Sequence, residues 1–315
     1  MNRLKRFFLI LPLLIFGLTG CSENTTDPGS QVITDDQALQ ELALEDSSVL
    51  SFEQNFNDDG AMGFFFGKTQ EAIYPLKIGR RISSVTRQFS RELIGDSAYV
   101  TVTSTYTGVM IIAASFEPVT PGDTTVTADT VIQKPFTSEV VRKLIFRKVN
   151  NNPNPRNNWR LVAVSLPSGG TVTNNVSINK AVLTYANGDS LVITNPNDFF
   201  LSRNPSGARR DIPVLNRNAT VTLRVEIYST YADDDFVILT HGANLRGFFR
   251  VKKRLELISS EPSGAGFVRV YSHTFASGSA PGHFHAIIDA MPRGVVFDSG
   301  AAVENKSWGV PYIVR

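Results

Sequence analysis

The chain has 315 residues, with 31 basic against 29 acidic side chains, four histidines and one cysteine. A nearly neutral body without clustered Lys/Arg runs lacks the concentrated positive charge that nucleic acid attracts, so a nucleic-acid partner is excluded, and one cysteine excludes an internal disulfide framework. Length predicts about two domains, and the many Phe, Val and Thr residues beside few Met predict a mostly β chain, because branched and aromatic side chains pack well on a pleated surface.

Arg3, Lys5 and Arg6 precede an apolar run over residues 7–16, and Leu18, Thr19 and Gly20 lead into Cys21. This layout predicts a secretory signal over residues 1–20. The apolar run is shorter than the roughly 20 residues needed to span about 30 Å of hydrocarbon, which argues against a transmembrane helix. The tetrad Leu18-Thr19-Gly20-Cys21 resembles the lipobox of bacterial lipoproteins. That resemblance implies a diacylglyceryl group on the Cys21 thiol, cleavage ahead of it and acylation of the new amino terminus. Several acyl chains give lasting attachment where one gives only marginal binding, so the membrane is the expected partner without any spanning segment. Ser22 after the cysteine resembles the pattern of outer-membrane delivery, while Glu23 and Asp27 leave export to the cell surface open. Loss of residues 1–20 removes three basic groups and no acid, leaving 28 basic against 29 acidic residues.

Residues 22–31 (SENTTDPGSQ) are polar with a Pro-Gly turn signal, so residues 21–33 read as a flexible tether. Thr34 with Gln37 three residues on forms a capping-box pattern, and Ala38, Leu39 and Leu42 follow at helical spacing. Val49, Leu50, Phe52 and Phe56 suggest a second short helix, and Phe64-Phe65-Phe66 is apolar enough to plug one end of a core. From Arg80 the pattern becomes extended. Val85, Arg87 and Phe89 lead through a Gly95-Asp96 turn to Ala98, Val100 and Val102, which alternate with Tyr99, Thr101 and Thr103 at the period of a strand. Residues 109–114 extend the second arm, 118–129 read as a protruding loop, and 140–149 and 159–165 as two further strands joined by the Asn/Pro-rich turn 150–158.

A helix followed by long antiparallel strands, with the Gly95-Asp96-x-Ala98-x-Val100 turn and the Trp159-Arg160-Leu161-Val162-Ala163-Val164 edge, resembles the NTF2-like and cystatin-like α+β folds. The resemblance implies a curved antiparallel sheet wrapped on an N-terminal helix over residues 34–166, with a binding cavity. Some members of those families are enzymes that use an aspartate and histidine pair; here no histidine precedes His241, so that chemistry has no carrier in this region. Residues 167–170 (PSGG) form the predicted domain break. Beyond them residues 171–315 show strand patterns at 176–185, 190–194, 219–228, 236–240, 248–258, 267–275, 283–289, 294–297 and 309–314. Many short strands at regular spacing predict a β-sandwich, similar to the immunoglobulin-like modules of exported bacterial proteins but without their cysteine pair.

All four histidines fall in this second half. His283 and His285 are two apart, so on a strand both rings leave one face and are close enough to chelate one ion. A zinc site needs three or four ligands, which requires His273 or His241 and Asp289 to converge on them; the alternative is a pair of surface or rim histidines. Asp233-Asp234-Asp235 lacks the alternating spacing and distal Glu of a calcium loop and reads first as a solvated turn. No nucleophile elbow, Ser-x-x-Lys, His-Glu-x-x-His or phosphate-cradling glycine loop occurs.

The expectation is therefore an outer-membrane lipoprotein, anchored through Cys21. It would act without catalysis as a binding or adaptor module for an envelope protein or small ligand, at the loop 118–129 or the edge around His283 and His285. The alternative is a zinc-dependent hydrolase or metal-binding protein built on His283, His285 and His273.

Overall fold

A computed structural model describes residues 33–45, 73–118, 125–202, 212–243 and 250–315. The signal and nearly all of the tether, the apolar patterns at 49–56 and 64–66, and residues 119–124 of the loop 118–129 lie outside these residues. The helix expected after Thr34 is α1 (Asp35–Glu45). Its capping box forms: the Gln37 N–H donates to the Thr34 hydroxyl (3.2 Å) and the Thr34 N–H to the Gln37 side-chain oxygen (2.9 Å).

Three long strands follow as a meander: β1 (Tyr74–Ile94), β2 (Ser97–Ser115) and β3 (Thr130–Lys148). Gly95 supplies the positive φ (57°) that the β1–β2 turn requires. Then come β4 (Trp159–Ser165), β5 (Ser168–Gly170), β6 (Val176–Tyr185), β7 (Ser190–Ile193), β8 (Phe200–Ser202) and β9 (Val214–Leu215). The chain continues through β10 (Thr220–Ser229), β11 (Phe236–Ala243), β12 (Val251–Arg254), β13 (Glu256–Ser263), β14 (Gly266–Ala276) and β15 (Gly282–Met291). It ends with the short helix α2 (Arg293–Phe297) and β16 (Lys306–Val314). The chain is thus mostly β, as the composition predicts.

Two sheets account for these strands. The larger runs β1-β2-β3-β5-β16-β15-β11-β12, with β4 beside β5 on β3, β8 on β4, and β9 in a two-residue parallel pairing with β16. The smaller runs β13-β14-β10-β6-β7 and is antiparallel throughout. The predicted domain break is corrected here. Residues 168–170 are a strand, paired on one side with Glu139–Val141 of β3 and on the other with Lys306–Trp308 of β16, so one sheet runs through both predicted domains. Residues 33–315 accordingly cluster as one compact unit. Two glycines make the bridge feasible: a Cβ on Gly169 would lie 1.9 Å from the Glu139 carbonyl oxygen, and one on Gly170 2.1 Å from that of Asn305.

Three apolar cores hold the layers. The first lies between the sheets, where Val221, Val225 and Ile227 of β10 and Tyr271 and Phe275 of β14 meet Phe284, Ala286 and Ile288 of β15 and Val237 and Leu239 of β11. The second lies on the opposite face of those same strands: Ile287 and Met291 of β15 and Phe236 and Ile238 of β11 pack on Ile78, Tyr106, Met110 and Phe136 of the long strands. The larger sheet curls round this second core until its two edges meet, where the Lys252 ammonium of β12 donates to the Ile78 carbonyl of β1 (2.7 Å). The third core seats Leu39 and Ala43 of α1 on Val100, Val102, Leu144, Phe146 and Trp159.

Two other expectations change. Residues 294–297 form α2 rather than a strand, because Val295, Val296 and Phe297 are all buried in the second core and the buried Lys134 ammonium caps the carbonyls of Val295 (2.7 Å) and Asp298. The single strand expected over 248–258 is two strands in different sheets, β12 and β13, divided at the buried Leu255. The bridge yields a direct prediction: Gly169→Ala forces β5 off β3 and lowers stability by about 2–4 kcal/mol. Gly294→Ala, whose added methyl meets Ala301 at 3.8 Å, leaves the urea midpoint essentially unchanged.

Candidate functional site

The histidines expected to share a metal do not converge. His283 and His285 leave β15 on the side away from the first core, since their neighbours Phe284 and Ala286 point into it. His285 is buried and His283 exposed. His273 belongs to β14 in the smaller sheet, between Tyr271 and Phe275, and faces the first core. A sheet therefore stands between His273 and the other two. Among the described residues no three His, Cys, Asp or Glu side chains gather closely enough to hold a metal ion. Those three histidines are thus not a common ligand set.

Asp289, the other expected ligand, is committed elsewhere. Its Oδ1 accepts from Asn305 Nδ2 (2.9 Å) and the Ser307 hydroxyl (2.7 Å), and its Oδ2 pairs with the buried Arg80 guanidinium at 2.8 Å. Asn305 in turn accepts from the Ser138 hydroxyl (3.2 Å), so the network stitches β1, β3, β15 and β16 together inside the curled sheet. Losing one member of such a buried pair strands the other charge.

The acidic triplet is likewise only partly solvated. Asp233 and Asp234 are exposed, but Asp235 is buried against Arg269 (2.9 Å). Arg269 also donates to the carbonyls of Tyr231 (2.7 Å) and Ala232 (2.8 Å), and the Asp235 N–H donates to the Tyr271 hydroxyl (2.8 Å). Burial pushes the Asp235 carboxyl up, against the pull of Arg269 and its hydrogen bonds. This cluster locks the turn into β11 and offers no open carboxylate cage.

His241 is a different case. It lies 7% exposed on β11, its ring 4.5 Å from that of Phe275, and its Nε2 has no hydrogen-bond partner among the described residues. Burial, then the nearby His273 and Lys253, depress its pKa to about 4. His273 is itself lowered by burial and Lys253, with Glu256 opposing. The spacing of His241 and His273 in the sequence gives no sign of this proximity, which follows from the edge where β11–β12 and β13–β14 face each other.

A groove of about 420 Å³ opens where β5 meets the start of the smaller sheet. Glu139 and Val141 of β3 form one wall, Ser177 and Ile178 of β6 the other, and residues 168–174 the rim, with Lys306 and Trp308 beneath. Its rim is fixed from below. Glu304 accepts from the Thr173 hydroxyl (2.7 Å), Asn175 Nδ2 (3.3 Å) and the Tyr231 hydroxyl (2.7 Å), and Lys306 donates to the Thr171 carbonyl (2.8 Å). The bond to the Glu304 carboxylate holds the Tyr231 hydroxyl above its ordinary pKa, and burial pulls Lys306 below its own despite Glu304. Val172 stands out from this rim, 78% exposed. From the Glu139 wall a polar face extends along the hairpin, since Thr101, Thr103, Thr105 and Thr107 alternate with the buried Val102, Ser104 and Tyr106 and sit opposite Ser90, Gln88, Thr86 and Ser84. The arrangement can hold an extended polar ligand by hydrogen bonds and presents no nucleophile–base pair. Sequence reading missed the groove because its rim is the stretch taken for a linker.

Comparison of the chain with protein-family models, with curated proteins and with solved structures finds no match.

Two outcomes follow. Asp289→Ala removes the carboxylate paired with the buried Arg80 guanidinium and costs about 3–5 kcal/mol in denaturant unfolding. Because the folded-state pKa of His241 lies near 4, below the unfolded value near 6.5, its contribution is intact above pH 6.5. It is lost as pH falls to 4, reaching about 3 kcal/mol. His241→Leu flattens the stability profile across that window.

Proposed function

We propose that the protein is an envelope lipoprotein, held at the outer membrane by acyl chains on Cys21, that works as a non-enzymatic binding module. The observation that carries the reading is the tetrad Leu18-Thr19-Gly20-Cys21 behind a charged and then apolar leader, placed at the only cysteine of the chain. Two features of the folded unit support it. Ile33, the first residue of the compact unit, follows Cys21 by twelve positions, so the sequence leaves room for a tether. The groove beside Glu139 and Thr171–Asn174 is open, polar-rimmed and rigidly backed, as suits recognition of an extended partner rather than enclosure of a reacting small molecule.

The zinc-dependent reading gains no such support, since its three histidines lie on two sheets. Mass spectrometry of the protein expressed with its leader in a Gram-negative host is expected to find a mature chain that starts at Cys21 with acyl chains attached. Cys21→Ser is expected to keep the leader uncleaved and unacylated. An intact, unmodified Cys21 in the wild-type protein would overturn the anchor. For the groove, Val172→Arg with Glu139→Arg is expected to abolish ligand capture without moving the thermal midpoint, both side chains being exposed and outside the buried network.

A further inference from the structure

We propose that the tip of the β1–β2 hairpin is a second membrane contact: Leu93 and Ile94 dip into the phospholipid bilayer that holds the acyl chains of Cys21. The inference rests on the lipoprotein reading and adds to it the part of the body that faces the lipid.

Hairpin turns are ordinarily polar, since Gly, Asn, Asp and Ser supply the conformations they need. Here Gly95-Asp96 is preceded by two aliphatic residues, Leu93 at 46% and Ile94 at 57% exposure. Leu93 pairs with Ala98 on the face that carries α1, and Ile94 with Ser97 on the opposite face, so the tip is apolar on both sides. Tyr99 (41%) stands behind Ile94, at the depth where an aromatic ring with a polar end suits a headgroup layer. Val149 (45%) lies next to the turn, because the Lys148 N–H donates to the Asp96 carbonyl (2.8 Å).

The covalent path to Cys21 favours lipid as the occupant. Eleven residues separate Cys21 from Ile33, so the anchor lies within about 40 Å of Ile33 however the segment runs. The start of α1 sits at the tip: Asp36 pairs with Arg91, three residues before Ile94, and the Asp35 carboxylate accepts from Trp159 Nε1 (3.0 Å). Trp159 pairs with Lys148, the strand end beside the turn. β1 itself, at 21 residues, is about 70 Å long. The acyl chains therefore reach the tip easily and the far end of the hairpin hardly at all. Two aliphatic side chains bury too little apolar surface to hold a dissolved protein at a bilayer. In a chain already anchored the second contact is intramolecular, and that much suffices.

The test uses the acylated full-length protein purified from membranes. Acylation consumes its one cysteine, so a new cysteine takes a polarity-sensitive nitrobenzoxadiazole label alone. Ile94→Cys is compared with Val131→Cys, whose position is equally exposed (57%) and lies at the other end of the same strands, Val131 pairing with Ala113. Both proteins are reconstituted into vesicles of phosphatidylethanolamine with a minority of phosphatidylglycerol, carrying a quencher on the acyl chains. The label at 94 is expected to be quenched about threefold more than that at 131, as for a residue at the headgroup–acyl boundary. Equal quenching at the two positions, in protein that floats with the vesicles, overturns the tip contact and leaves the anchor standing. A label at 94 that stays in water on vesicles but becomes shielded when envelope proteins are added assigns the tip to a protein partner and overturns it too. Protein that also takes label at Cys21 and fails to float overturns the anchored reading and the tip contact with it.

Discussion

The close approach of three backbones at β5 is the constraint on which the rest depends. Gly169 sits between Val140 and Ser307, and Gly170 between Glu139 and Lys306, with no space for a side chain on either side. Among the described residues only this three-residue strand joins the long meander to β16 by backbone pairing. Without it β1–β3 and the group β16, β15, β11 and β12 would be two sheets with four edges, each a template for unwanted pairing. With it they are one sheet that curls, and the curl creates the second core.

From that core follows the burial on both faces of β11 and β15. Ile288 faces the smaller sheet and Ile287 the long strands, so neither side of β15 alternates with solvent. Charged groups caught in such a layer must be paired. Asp289 is the example: it projects toward the second core and is met by Arg80 from β1, with Asn305 and Ser307 taking its remaining lone pairs. The pair also fixes how β1 registers against β15, strands that share no backbone ladder.

Where one face meets water and the other a core, the sequence was legible. β2 alternates from Ala98 onward, β10 buries Val221, Leu223, Val225 and Ile227, and the capping box at Thr34 starts α1 where it says it should. The failures have physical causes. Ser168-Gly169-Gly170 reads as a linker because glycine signals flexibility in isolation, yet here it permits contact between backbones. The run Gly294-Val295-Val296-Phe297 has strand composition, but burial on all sides and carbonyls capped by Lys134 make it a helical turn. His283 and His285 do share a face, as the two-residue period requires. That period cannot tell which sheet carries His273, nor that His241 would be its neighbour.

The position of α1 links fold to location. The helix buries only Ala38, Leu39 and Ala43, too little apolar surface for an 11-residue helix to persist alone. Its place is set by polar partners at both ends, Arg91 and Trp159 at the first turn and Arg156 at Glu41 and Glu45 near the last. These hold the point where the chain enters the body at one end of the hairpin. Along β3 from Arg147, beside the turn, to Val140, beside the groove, is about 25 Å at strand spacing. A body that rests its tip among headgroups would thus hold the groove clear of them. A partner recognised there can then be large, and can approach parallel to the bilayer without displacing lipid.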